Sequence, residues 1–177
     1  MRRRIRNSKG FTLAETLIVV LIMGILTAAG SAAISAVMAT RVGMIQVADA
    51  EILGSTSLQS LANELRFGQD ITVDQDGNYV ILDSTTYGTD TKFYLEKDKE
   101  NANYGKLKYG TEEGSHIFGE STYSGLSISE LQFIRNDDSS ITIKLKVDGN
   151  KGELWSGELS VTPLNGSSEE EKEPETL

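Results

Sequence analysis

The chain has 177 residues, with 17 Lys and Arg against 26 Asp and Glu and a net charge of −9. Zero cysteine excludes disulfides and thiolate metal sites, and a single histidine, His116, excludes a two-histidine metal cluster. The length suits one domain with extensions, and the acidic balance argues against a nucleic-acid partner, which ordinarily meets a basic surface.

The first ten residues are basic: Arg2, Arg3, Arg4, Arg6 and Lys9 stand there without an acid. Residues 16–40 then run 25 positions without a charge, and 18 of these are Ala, Val, Ile, Leu or Met. As a helix this run spans about 37 Å, against a hydrocarbon core of about 30 Å. No proline interrupts it, since only Pro163 and Pro174 occur in the chain. Arg41 is the one base between the run and Arg66. The charge asymmetry places the N-terminus in the cytoplasm and residues 41–177 outside.

Three readings fit this topology. A cleaved secretory signal would use the small residues Ser31-Ala32-Ala33, but the apolar run exceeds the usual h-region of about 7–15 residues. A plain single-pass anchor fits the length better. The third reading starts from Glu15, a carboxylate at the very start of the apolar run. Such a group costs up to about 2.5–3.5 kcal/mol at mid-membrane depth and less near the interface. A plain anchor gains nothing from it, so it marks a functional site if a partner can be named. A purely structural role is also open, because the carboxylate sits near the positive end of the helix dipole.

The string Lys9-Gly10-Phe11-Thr12-Leu13-Ala14-Glu15, with the basic leader before it and the long apolar helix after it, resembles the processing motif of type IV pilins and type II secretion pseudopilins. The resemblance covers residues 1–40 and extends more loosely to about residue 67. It implies that a membrane aspartyl prepilin peptidase cuts between Gly10 and Phe11 and methylates the new amine of Phe11. It implies that Glu15 then pairs with the Phe11 amine of a neighbouring subunit. In a low-dielectric setting that pair would fix the register of stacked helices. The implied partners are the prepilin peptidase, other pilin or pseudopilin subunits, a membrane assembly platform driven by a cytoplasmic ATPase, and the lipid bilayer. The implied fold is α+β, a long N-terminal helix packed on an antiparallel sheet head. The lack of cysteine departs from the disulfide-closed loop of many major pilins, which favours a minor pilin or pseudopilin. The missing mid-helix proline removes the kink many pilins carry, although Gly24 and Gly30 could loosen the helix. With Ala28, Ala29, Ser31, Ala32 and Ala33 these glycines also form a small-residue face that permits close helix packing.

Residues 41–67 keep a helical period. Ile45, Ala48 and Ile52 are spaced three and four apart, as are Leu58, Leu61 and Leu65, which predicts one buried stripe. Gly54-Ser55 suggests a bend and Gly68 a stop.

The remainder reads as hairpins. Residues 71–73 and 79–82 flank an Asp76-Gly77-Asn78 turn. Residues 92–95 and 106–109 flank a polar loop, and residues 131–134 and 141–147 flank a turn at 136–138. Residues 148–150 lead into strands at 153–155 and 158–161. Short strands joined this way predict an antiparallel sheet. Residues 166–177 are acidic and read as a solvated tail.

The expected organisation is a leader over 1–10, a transmembrane assembly helix over 11–40, an amphipathic helix over 41–67, a β-rich extracytoplasmic head over 68–165 and an acidic tail over 166–177. Asp74, Asp76 and Asn78 match a calcium loop poorly and are better explained by the turn. Asp98 with Glu100 and Asp137-Asp138 also read as turns, His116 as a loop or strand residue, and the six tyrosines as core or rim. No serine elbow, phosphate-cradling loop or acid pair appears, so no enzyme activity, cofactor or metal is expected. The expected role is that of a filament subunit, in secretion, DNA uptake, adhesion or motility. It would reside in the membrane and then in a cell-surface or periplasmic filament. The alternative is an uncleaved anchor carrying a ligand-binding or adhesin domain.

Overall fold

A computed structural model describes residues 12–100, 104–110 and 114–165. The expected leader over 1–10, the residue Phe11 and the expected tail over 166–177 lie outside the described residues. The chain divides into two compact units, residues 1–44 and 45–177.

In the first unit the described residues form the start of helix α1, Leu13–Phe67. Its side chains are exposed throughout; Leu17, Leu21, Leu26, Val37 and Met38 all stand more than half open. An 18-residue window reaches a mean hydropathy of 2.5, which makes this a membrane-anchoring helix by length and composition. Its hydroxyls are satisfied internally. Thr27 donates to the Met23 carbonyl at 2.8 Å, Ser31 to Thr27 at 2.9 Å, Ser35 to Ser31 at 3.0 Å and Thr40 to Ala36 at 3.0 Å. Back-bonding to the preceding turn lets Ser and Thr sit in hydrocarbon without an orphaned donor.

In the second unit the rest of α1 packs on two antiparallel sheets. Five strands form the first: β1 (Gln69–Val73), β2 (Tyr79–Ser84), β3 (Gly88–Leu95), β4 (Leu107–Tyr109) and β5 (Ser115–His116), neighbours in chain order. A single helical turn, α2 (Glu120–Tyr123), leads to the second sheet of β6 (Ser127–Arg135), β7 (Ile141–Gly149) and β8 (Gly152–Val161). The three expected hairpins are present as β1–β2, β3–β4 and β6–β7. The two strands expected at 153–155 and 158–161 are one continuous strand, β8.

Strand alternation builds the core. On β7, Ile141, Ile143, Leu145 and Val147 are at most 1% exposed while Thr142, Lys144 and Lys146 face outward. Val80, Leu82, Phe93, Leu95 and Leu107 do the same for the first sheet. Backbone bonds tie the sheets: Phe133 N–H donates to the Gly77 carbonyl at 2.9 Å and Ile128 N–H to Gly105 at 2.7 Å. Gly77 is needed twice over. It holds a φ of +72°, and a Cβ there would lie 2.5 Å from the Phe133 carbonyl oxygen.

The helix stripe differs from expectation. The buried face is Ala50, Leu53, Gly54, Ser57, Leu58, Leu61, Ala62 and Leu65. Ile45, Ala48 and Ile52 are exposed. Both triplets have helical spacing, but one residue along a helix is a rotation of about 100°. Ile52 therefore lies well round from Leu53 and off the stripe that Leu58, Leu61 and Leu65 continue. The helix runs unbroken through Gly54 and Ser55. The glycine admits Trp155, whose Cε3 lies 2.1 Å from where a Cβ would stand.

The last turn of α1 is anchored twice. The Glu64 carboxylate accepts the hydroxyls of Ser84 at 2.6 Å and Thr86 at 3.1 Å. Beyond β8, Leu164 N–H donates to the Arg66 carbonyl at 2.9 Å and the Asn165 amide to Phe67 at 3.2 Å. These donors cap carbonyls that a helix end leaves unpaired. Gly68 stops the helix as expected, its N–H still reaching the Glu64 carbonyl at 2.8 Å.

Candidate functional site

The sequence points to Gly10, Phe11 and Glu15. Gly10 and Phe11 lie outside the described residues. Glu15 is described, at the first turn of α1. Its Oε2 accepts the Thr12 backbone N–H at 2.9 Å and the Thr12 hydroxyl at 2.9 Å. In return the Glu15 N–H points at Thr12 Oγ1 at 3.3 Å. This is a reciprocal capping box, in which a Thr and a Glu three residues apart satisfy each other's backbone donors. Both bonds to the carboxylate land on Oε2, and Oε1 receives none among the described residues.

Thr12 is thus a residue of the site that sequence reasoning passed over. The signal is present in the sequence as Thr-x-x-Glu before an apolar run. The structural role at the helix start and a role toward another subunit are compatible, because the cap uses one carboxylate oxygen and leaves the other.

The remaining carboxylates of interest are turn residues. Asp74 Oδ2 accepts the Asn78 N–H at 3.2 Å and its amide at 3.4 Å, closing the β1–β2 turn. Asp98 accepts the Glu100 N–H at 3.0 Å. Asp138 accepts both the hydroxyl and N–H of Ser140, which hold its carboxyl below the usual carboxylate range. Among the described residues no three His, Asp or Glu side chains converge as a metal site.

His116 is a strand residue, on β5 opposite Lys108 of β4. Its Nδ1 is buried without a partner. Burial, then the Lys108 and Lys106 ammonium groups, hold its pKa below the ordinary histidine value, against a smaller opposing effect of Glu120 and Glu96. Lys108 pairs with Glu96 at 3.0 Å and Lys106 with Glu120 at 2.8 Å. Of the tyrosines, Tyr123 is buried and its hydroxyl accepts the Leu107 N–H at 2.8 Å. Tyr87 packs edge-on to Phe93, with ring centres 5.5 Å apart, and touches Tyr109 at 4.3 Å. Lys92 Nζ sits 3.8 Å above the Tyr79 ring.

Residues 5–31 match the model of the prokaryotic N-terminal methylation motif. No curated protein and no solved structure matches the chain. The matched residues take in the later part of the leader with Arg6 and Lys9, the expected cleavage position, the Thr12–Glu15 box and the first part of the membrane-anchoring helix. At the head of a long apolar helix, on a pilin-like α+β architecture, the chain therefore carries the N-terminal methylation motif characteristic of type IV pilins and pseudopilins, the mark of a precursor that prepilin peptidase processes.

Proposed function

We propose that the protein is a structural subunit of a type IV pilus-like or pseudopilus filament. The methylation motif at residues 5–31, opening a helix long and apolar enough to cross a bilayer, carries this reading. The peptidase cuts after Gly10 and the amine of Phe11 is methylated. The cut removes five bases and no acid. It leaves one cationic amine at the membrane edge, on the residue directly before the Thr12–Glu15 box. The open Oε1 of Glu15 accepts that amine from a neighbouring subunit while Oε2 keeps its bonds to Thr12. Residues 41–177 lie outside the membrane, and the assembly platform draws subunits into the filament. The protein performs no catalysis of its own.

Support comes from two further features. Gly24 and Ala28 share one helix face and Gly30 lies on the opposite side, and nothing lies within 4 Å of either glycine's missing Cβ. Small residues there let helices approach closely. The apolar side chains of the first unit stand exposed to whatever surrounds them, which suits lipid first and neighbouring helices later.

Mass spectrometry of the protein from its own membrane tests the reading. A mature chain starting at N-methylated Phe11 is expected. An intact Met1, or a chain beginning near Ile34, would overturn it in favour of an uncleaved anchor or a secretory signal.

A further inference from the structure

The second sheet ends on β8, and this edge is unusual. Strand β6, at the other side of that sheet, is occupied by the bonds from Phe133 to Gly77 and from Ile128 to Gly105. Strand β5 has only two residues and β1 only five. Strand β8 has ten, paired with β7 except at a bulge that leaves Leu154 unpaired, and with no strand beyond it among the described residues. Natural edge strands are blunted by brevity, proline, charged side chains, lysine above all, or bulges, and β8 has the Leu154 bulge and two glutamates but keeps its length. Between Gly152 and Val161 there is neither a proline nor a lysine.

The register with β7 sorts its side chains. Trp155, Gly157 and Leu159 stand opposite Val147, Leu145 and Ile143, on the core side. Ile143 is fully buried, yet Leu159 is 37% exposed, with no strand beyond β8 among the described residues to cover it. Ser156, Glu158 and Ser160 face outward, opposite Lys146, Lys144 and Thr142. Glu153 stands opposite Asp148 and adds to the acid. Among the described residues the one ion pair from this rim is loose: Glu158 to Lys144 at 3.9 Å, with the Glu158 side chain 71% exposed.

We propose that the open edge of β8 binds an extended polypeptide strand from another protein, with apolar and basic residues alternating. Its backbone would continue the ladder of β7 and β8. Its apolar residues would cover Leu159 and the edge of Trp155. Its basic residues would lie beside Glu153 and Glu158 on the outer face, where opposite charges across strands are favourable. A second copy of this chain does not fit. Its own β8 would set the same glutamates against each other, and after loss of the leader the side chains carry 12 bases against 26 acids.

The full chain in detergent micelles, titrated with a peptide of about nine alternating lysine and valine residues, tests this. Trp155 is the only tryptophan, so its emission reports on β8 directly. A saturable blue shift with slowed amide exchange confined to β8 is expected. The same peptide with alternate amides N-methylated should not bind, and Glu153→Lys with Glu158→Lys should weaken binding by about tenfold or more. No saturable shift, equal binding of the N-methylated peptide, or protection at β1 or β6 instead would overturn the proposal. Concentration-dependent protection of β8 without any peptide would place a second copy on that edge and overturn it as well.

Discussion

Trp155 of β8 rests on the bare Cα of Gly54 in the middle of α1, at a separation that leaves no room for a methyl group. The same ring overhangs Gly157, where a Cβ would lie 2.5 Å from Cη2. One large side chain is thus seated between two glycines, one on the helix and one on the sheet. This contact sets how closely the helix and the second sheet approach.

Replacing Gly54 should therefore cost stability although alanine is the better helix former. Gly54→Ala is expected to lose about 1–3 kcal/mol, the usual range for overpacking a filled core. Denaturant unfolding monitored by Trp155 emission measures it. A variant as stable as the parent would show that the ring moves aside at no cost.

Ser57 has the opposite sign. It is fully buried and its hydroxyl has no partner. Ser57→Ala removes an unsatisfied polar group and improves helix propensity, so it should stabilise by about 1 kcal/mol. The same unfolding assay reads this out, and a loss of stability would reveal a partner for the hydroxyl.

At the helix start, Thr12→Ala should remove the cap while Thr12→Ser keeps it. The expected loss is about 1 kcal/mol of local helix stability. Amide exchange at residues 13–16 should speed up in the first variant and not in the second. Glu15→Val should fray the same turn and also block filament assembly. If it frays the turn yet assembles normally, the carboxylate is a cap alone.

His116 should make the protein less stable in acid. Its folded-state pKa lies below the ordinary value of 6.5, so the unfolded chain takes up the proton first as pH falls. Stability then declines as pH drops below about 6.5, and this contribution levels off once pH is below the folded-state pKa. His116→Gln should flatten the slope in that window. An unchanged slope would assign the acid sensitivity to other groups.

Much of this fold was readable because the signals were local. The Asp76-Gly77-Asn78 turn, the alternation of Lys144 and Lys146 with Ile143, Leu145 and Val147, and the Gly68 stop each depend on neighbours in sequence. The division into two sheets was not readable, because it depends on Phe133 meeting Gly77 and Ile128 meeting Gly105 across the chain. The helix stripe failed for a related reason. Ile45 and Ile52 have the right spacing, but the sheet selects the face, and it selects the one through Leu53 and Gly54. The partner of Gly54 was not legible, because sequence gives no hint of a tryptophan about a hundred residues later. At the candidate site, Glu15 was singled out by its charge in an apolar run. Its bond to Thr12 was overlooked although the pairing is written in the sequence.

The bonds from Leu164 to Arg66 and from Asn165 to Phe67 bring the chain back to where α1 ends. Asn165 and Phe67 are 98 positions apart, yet they are joined by a hydrogen bond. Everything between them leaves the helix and returns to it at one place. The β-rich portion is therefore a cassette with adjoining ends, the arrangement in which insertion, permutation or exchange of a whole module disturbs the rest least. Such a chain can vary its β-rich portion while the segment that carries the methylation motif stays as it is.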